Sequence, residues 1–101
     1  MQELKIEMQS DSKGAFVIYD SGIKAGEMIF GINDNELTAV HTEVNPNFEG
    51  KGFAKMLFNQ MVEYVSVNNM MVIPLCPYVL AQFKKERELY RDIWKKETVK
   101  F

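Results

Sequence analysis

The chain has 101 residues, enough for one domain with a modest hydrophobic core, and we expect residues 1–101 to form that single domain. Hydrophobic residues make up 47% of the chain and charged residues 26%, which is typical of a globular protein and excludes a disordered or fibrous one. Twelve basic against fourteen acidic residues give a net charge of -2, which argues against nucleic acid or anionic lipid as a partner.

The first part of the chain predicts a β-hairpin. Leu4, Ile6 and Met8 alternate with polar residues, the period of two expected of a strand with one buried face. Residues 15–19 form a second strand-like run, which the turn formers of residues 20–22 close. The chain opens without the basic and apolar stretch of a signal peptide, so we expect a cytoplasmic protein.

Two more strands are predicted between residues 25 and 44. The third covers residues 25–32, and after a turn at residues 33–35 the fourth continues over residues 37–44, antiparallel to the third. Regular alternation along the fourth strand puts its histidine on the same face as two apolar residues and a glutamate. That face consists of Leu37, Ala39, His41 and Glu43.

The strongest helical pattern begins after Gly52, where apolar residues recur at a spacing of three to four as far as Val65. Residues 70–75 predict a buried fifth strand, and Pro74 within it indicates an edge position or a bulge near its end. The apolar run at residues 70–81 is too short to span a bilayer, so no membrane contact is expected.

A last helix is predicted from Pro77, which suits a first helical turn, toward Trp94, with the charged residues 84–88 dividing it in two. The predicted order is β-β-β-β-α-β-α. We therefore expect an α+β fold, with a mostly antiparallel five-stranded sheet, one long helix and a C-terminal helical segment.

Gly50 and Gly52 stand at the mouth of the long helix, directly after the fourth strand. A helix that begins in this way offers free backbone N–H groups and the positive end of its dipole to an anion. A Gly-x-Gly before a helix can equally be only a tight entry into it, so the pattern alone leaves both interpretations open.

Residues 45–54, Asn-Pro-Asn-Phe-Glu-Gly-Lys-Gly-Phe-Ala, resemble the acetyl-CoA pyrophosphate loop of the GNAT acetyltransferase superfamily, whose pattern is Arg/Gln-x-x-Gly-x-Gly/Ala. Asn47 stands where that family usually has arginine or glutamine, and Glu49 stands where a basic residue is frequent. Residues 41–44 and 74–78 also resemble the compact, single-domain branch of the superfamily. The similarity extends over residues 41–83.

The resemblance implies an acyl-CoA N-acyltransferase-like fold and transfer of an acetyl group from acetyl-CoA to an amine. In that family the strand before the loop pairs with the pantetheine arm, the loop binds the pyrophosphate, and the next strand splays away to admit the thioester. By position, the residues implied to bind the cofactor are Thr42, Glu43, Val44, Asn47, Phe48, Glu49, Gly50, Lys51, Gly52, Phe53, Ala54, Cys76, Pro77 and Tyr78.

The short connection at residues 9–13 replaces helices that wall the acceptor site in larger members of the superfamily, so the acceptor side should be open. A second copy of the chain in a homodimer, or a bulky substrate such as a protein amine, could complete that wall. A noncatalytic module that binds CoA or acyl-CoA is the alternative function. A pure protein-interaction domain is a third class, which would require the glycine turn to be only structural.

His41 and Cys76 are the candidate catalytic residues. A neutral imidazole can take a proton near neutral pH, and a thiol at a helix start can be nucleophilic. Each also has a plain structural interpretation, as a sheet residue for His41 and as a small buried hydrophobe for Cys76. Direct transfer to the amine and a transient acyl-Cys76 intermediate both remain open. One cysteine and one histidine cannot build a tetrahedral zinc site, so no metal is expected.

Overall fold

The computed structural model describes residues 1–95, in which a five-stranded sheet carries α1 on one face. The strands are β1 (Gln2–Met8), β2 (Lys13–Asp20), β3 (Ile23–Asn33), β4 (Glu36–Val44) and β5 (Met71–Pro74). The helices are α1 (Phe53–Val67), α2 (Pro77–Lys85) and α3 (Arg87–Tyr90), and a short 3-10 helix covers Pro46–Phe48. The order of elements follows the prediction, including the division of the C-terminal helix within residues 84–88.

The strands lie in the sheet in chain order, β1-β2-β3-β4-β5. The first four pair antiparallel, as expected of strands joined by short turns, and β5 pairs parallel with β4 after the crossover through α1. The predicted mostly antiparallel sheet and α+β class are therefore confirmed. Pro74 ends β5, the outermost strand on this side of the sheet, whose outer side is bridged at Val72 to Trp94.

The hydrophobic core lies between α1 and one face of the sheet. The spacing of Leu57, Phe58, Met61 and Val65 places all four on one side of α1, where each is fully buried. They pack in one cluster with core residues of β2, β3 and β4, and α2 adds Val79 and Phe83. Burying a large apolar side chain of this kind contributes about 1.5–3 kcal/mol to the stability of the fold. The buried side of α1 therefore holds the helix against the sheet.

β1 departs from the prediction of one buried face. Leu4 and Ile6 are each 42% exposed and Met8 is 47% exposed. These side chains do point to the α1 side of the sheet, because Leu4 and Ile6 pair with the core residues Ile18 and Phe16 of β2. The predicted burial is wrong because α1 packs over β2, β3 and β4 and leaves the edge strand uncovered.

β4 contains a β-bulge that its sequence pattern does not reveal. Phe30 of β3 pairs with Ala39, but the preceding Ile29 pairs with His41, so Val40 is an extra residue in β4. One inserted residue shifts a pattern of period two to the opposite face of the sheet.

The bulge changes the face of the sheet on which the side chains of the second half of β4 lie. Thr42 pairs with the core residue Met28, and Val44 packs against the core on the α1 side. His41 and Glu43 lie on the opposite face and are exposed. The predicted grouping of His41 and Glu43 with the apolar first half of β4 is therefore wrong.

Candidate active site

The connection from β4 to α1 first satisfies its own backbone. The side-chain oxygen of Asn45 accepts a hydrogen bond from the N–H of Asn47 at 3.0 Å. The N–H groups of Phe48 and Glu49 donate to the carbonyls of Asn45 and Pro46 at 2.8 and 3.3 Å. The amides of residues 47–49, which the resemblance assigns to the cofactor, are thus engaged within the protein.

The amides of residues 50–55 follow, and none of them has a hydrogen-bond partner within residues 1–95. Gly50 and Gly52 have φ values of 82° and 78°, a left-handed backbone that glycine adopts without strain. Gly52 is the N-cap of α1 and supplies no side-chain cap, and the first turn of α1 contains no acidic residue. No cap and no acidic side chain of the first turn therefore compensates the partial positive charge of this helix end, a setting that favours an anion.

The same turn lines a surface cavity of about 310 Å³ that also reaches β4 and α2. Its lining consists of Val44, Phe48, Glu49, Gly50, Gly52, Phe53, Ala54, Lys55 and Tyr78. All of these except Lys55 are among the residues that the sequence predicted for the cofactor. Lys55 follows Gly52 by three residues, and its position in the first helical turn was the signal that could have found it.

Six predicted contact residues lie outside this lining, namely Thr42, Glu43, Asn47, Lys51, Cys76 and Pro77. Lys51 is the clearest case. Its Nζ lies 3.5 Å from Oδ2 of Asp20 and 5.5 Å above the centre of the Phe48 ring. The side chain of Lys51 therefore ties the glycine turn to the end of β2.

Asp20 is a buried carboxylate at the end of β2, 8% exposed. Burial raises its pKa, but the hydrogen bond from Gln2 and the positive charge of Lys51 outweigh that effect, and the net pKa lies below its ordinary value. The carboxylate is thus held in its charged form beside the turn.

β4 and β5 separate at the level of this site. Their parallel pairing runs from Glu36 to Ala39 on β4 and ends at Pro74 on β5. The N–H of Cys76 donates to the carbonyl of Ala39 at 2.8 Å. Beyond that bond, no residue among 1–95 pairs with β4 on this side, so the edge of β4 at residues 40–44 is open toward α2.

Cys76 lies at the point where the two strands part. It is 1% exposed and its Sγ lies 3.2 Å from Oγ1 of Thr42. His41, by contrast, is exposed, and its Nε2 lies 3.8 Å from Oε1 of Glu43. The structure therefore pairs the two candidate catalytic residues with different partners, Cys76 on the α1 side of β4 and His41 on the other face.

Tyr78 lines the cavity in the first turn of α2. Burial raises the pKa of its phenol above the ordinary value of 10.0, and the neighbouring Cys76 and Tyr90 add to the effect. The phenol therefore stays protonated at neutral pH and can donate a hydrogen bond or a proton.

The chain matches a known family of enzymes. Residues 15–93 match the GCN5-related N-acetyl-transferase family, well over half of the chain, and the chain therefore belongs to that family. It is an acetyl-CoA-dependent N-acetyltransferase, which confirms the predicted enzyme class and acetyl transfer to an amine. A comparison with curated proteins found no match to the chain.

Solved structures share the fold. A GCN5-like putative N-acetyltransferase from Staphylococcus aureus has a TM-score of 0.65 at 25% identity, over 95% of this chain and 90% of that one. A ribosomal-protein-alanine N-acetyltransferase from Brucella melitensis biovar Abortus 2308 has a TM-score of 0.63 at 21% identity, over 92% and 72% of the two chains. The aminoglycoside N-acetyltransferase AAC(6')-Iy, solved with CoA, has a TM-score of 0.55 at 15% identity, over 92% and 75%.

Two further observations concern membrane-spanning helices and metal-binding groups. Within residues 1–95 no helix is both long and apolar enough to cross a membrane. Among the same residues, no group of three or more His, Cys, Asp or Glu side chains is arranged to hold a metal ion.

Proposed function

We propose that the chain binds acetyl-CoA through the backbone of residues 50–55 and transfers its acetyl group to an amine that approaches from the His41 face. The observation that carries the proposal is the run of six unengaged amides at the uncapped start of α1, beside a cavity of about 310 Å³. Backbone amides at a helix N-terminus bind phosphate groups in many folds. The CoA in the aminoglycoside acetyltransferase structure supports the choice of ligand.

The residues present fit a diphosphate. Lys55 adds a positive charge to the lining, with its Nζ donating a hydrogen bond to the neutral Gln82 at 2.9 Å, while Glu49 adds a negative charge that opposes an anion. The volume of the cavity is suited to the diphosphate and the parts of CoA next to it. The open edge of β4 at residues 40–44 is available to the pantetheine arm. Bound acetyl-CoA would supply the activated acetyl group.

The arrangement favours direct transfer over an acyl-Cys76 route. His41 is exposed beside Glu43 and can take the proton that an ammonium must lose before the neutral amine attacks the acetyl carbonyl. The new N–C bond would form as the C–S bond breaks, and the nitrogen would release its second proton to solvent. Tyr78 can give its phenolic proton to the departing thiolate and regain one from solvent. Cys76 is buried against Thr42, away from the His41 face, and we assign it a packing role.

Turnover of acetyl-CoA would be followed with a panel that includes aminoglycosides and peptides with N-terminal alanine, the acceptor types named for two of its structural neighbours. His41→Ala should lower turnover about 100-fold or more, the usual contribution of a general base. Cys76→Ala should retain turnover. Unchanged turnover in His41→Ala would contradict the role of His41, and an acetyl group trapped on Cys76 in a single turnover would contradict direct transfer.

The remaining expectations about the surroundings of the enzyme stay predictions. These are a cytoplasmic location and the absence of metal, nucleic acid and membrane as partners. The net charge of -2 and the single cysteine support them.

A further inference from the structure

The outer edge of β1 is the feature that the proposed acetyl transfer leaves unexplained. β1 is an edge strand of seven residues, all exposed, without proline or a bulge. No strand among residues 1–95 pairs with its outer side. An edge strand that is long, regular and partly apolar, such as this one, is a template for pairing with another chain, unless its sequence opposes it.

The register with β2 shows which backbone groups point outward. The carbonyl of Met1 accepts from the N–H of Ser21, and the N–H of Gln9 donates to the carbonyl of Lys13, both in the register of the β1–β2 ladder. Hydrogen-bonded pairs alternate along an antiparallel ladder, so the odd-numbered residues of β1 bond to β2. The N–H and C=O groups of Leu4, Ile6 and Met8 therefore point away from the sheet.

The side chains of β1 divide into an apolar and a charged face. Leu4, Ile6 and Met8 point to the α1 side, where Leu4 and Ile6 form the floor of an open groove of about 600 Å³ beside α1. Lys5 and Glu7 lie on the other face with Tyr19 between them. The Lys5 ammonium sits 5.2 Å from the centre of the Tyr19 ring, and Glu7 accepts a hydrogen bond of 2.5 Å from the Tyr19 hydroxyl.

From these observations we infer that β1 pairs antiparallel with β1 of a second copy, about a two-fold axis through Ile6. In that register Ile6 faces Ile6, and Leu4 faces Met8 of the second copy. The outward backbone groups of these residues are the ones that this ladder requires. Lys5 then faces Glu7 of the second copy, twice, in the closer, non-hydrogen-bonded pairs.

The pairing makes one continuous ten-stranded sheet with both α1 helices on the same side. It brings the two apolar strips into contact. On the charged face it gives Lys5 and Glu7 neighbours of opposite charge, while Glu3 faces the neutral Gln9 of the second copy. A two-fold axis through Leu4 would instead set Ile6 opposite Gln2 and lose an apolar pair. The strand is therefore self-complementary in backbone, apolar and charged groups in one register.

The test is a pair of charge reversals in the full chain, followed by sedimentation over a roughly hundredfold range of concentration in the micromolar range. The native chain should form a concentration-dependent dimer. Lys5→Glu and Glu7→Lys should each weaken it about tenfold or more, because each sets like charges opposite one another at two sites. An equimolar mixture of the two variants should dimerise again, since every facing pair is then of opposite sign.

Tyr19→Phe controls for the lost contact to Glu7, and Lys85→Glu, an exposed lysine in α2, matches the change in charge. Both should dimerise as the native chain does, and all variants should show a cooperative thermal transition. A native chain that stays monomeric throughout the range would overturn the inference. The inference would also be overturned if Lys5→Glu and Glu7→Lys each dimerised as the native chain does. It would be overturned as well if the mixture of the two folded variants stayed monomeric. Acetyl-CoA affinity should be unchanged in all variants, because β1 does not line the cofactor cavity.

Discussion

Gly52 is the residue on which the anion-binding geometry depends most directly. A Cβ at this position would meet no atom within 4 Å, so the cost of a side chain is conformational and not steric. We expect Gly52→Ala to lose about 1–2 kcal/mol of stability from the left-handed backbone, and to lower acetyl-CoA affinity about tenfold or more as the turn shifts. Calorimetric titration and denaturant unfolding measure the two effects.

Gly22 provides a matched control for that change. It has a φ of 83° in the β2–β3 turn, a Cβ there would also meet no atom within 4 Å, and it lies away from the cavity. Gly22→Ala should show a similar loss of stability with native affinity for acetyl-CoA. Equal affinities of the two alanine variants would mean that the glycine turn does not hold the cofactor.

Glu49 sets a negative charge in the lining of a site proposed for an anion. Glu49→Gln should tighten acetyl-CoA binding about threefold, an effect of the size expected for an exposed charge. The gain should shrink at high salt, because added ions screen exposed charges. Glu63→Gln, at an exposed position farther along α1, should leave the affinity unchanged, and weaker binding by Glu49→Gln would show that the carboxylate helps to hold the ligand.

The family resemblance of residues 41–54 and 74–78 predicted most of the cavity lining but not the orientation of individual side chains. Gly50 and Gly52 also stood out by residue type, because they precede a helix, whereas Tyr78 was implied by its position alone. Lys51 and Lys55 could not be told apart in this way. Lys51 turns to Asp20, which is distant in sequence, while Lys55 lines the cavity and its Nζ donates a hydrogen bond to Oε1 of Gln82 at 2.9 Å.

At the scale of elements, Asp20 connects the end of β2 to the β4–α1 turn through Lys51. Its pKa in the folded protein lies below the ordinary value of 3.8, because the hydrogen bond from Gln2 and the charge of Lys51 outweigh the effect of burial. A carboxyl group whose folded pKa is lowered adds stability above its unfolded pKa. That stability is lost as the pH falls through the folded pKa.

The pH dependence of unfolding tests this connection. The native chain should be more stable than Asp20→Asn above about pH 4, and the difference should disappear at lower pH. Urea unfolding at a series of pH values measures it. Asp11→Asn changes an exposed carboxylate in the β1–β2 turn and should show no difference in stability from the native chain that disappears at low pH. A difference in stability for Asp20→Asn that does not depend on pH would contradict the role given to the Asp20 carboxylate.

The elements themselves were predictable because hydrophobic periodicity and turn residues are local. The bulge at Val40 was not, because it inserts one residue into an apparently regular pattern and is defined only by the pairing with β3. Its consequence is large for the site. It separates His41 from the core side of β4 and brings Thr42 to Cys76 instead.

At the scale of the whole molecule, the order of elements and the mostly antiparallel sheet followed from the sequence, while the exposure of β1 did not. Its alternation is that of a half-buried strand, and only the position of α1 over β2, β3 and β4 leaves it open. The same alternation is consistent with burial against a second copy. A sequence pattern thus records the faces of a strand without showing which layer covers them.

The whole account depends on the backbone amides of residues 50–55, and amide NMR spectra titrated with acetyl-CoA observe them directly. We predict that the resonances of residues 50–55 shift most, because their N–H groups are free to bind the diphosphate, and that the internally bonded amides of residues 47–49 shift less. A titration that leaves residues 50–55 unchanged while acetyl-CoA binds, or that shows no binding at all, would contradict the account.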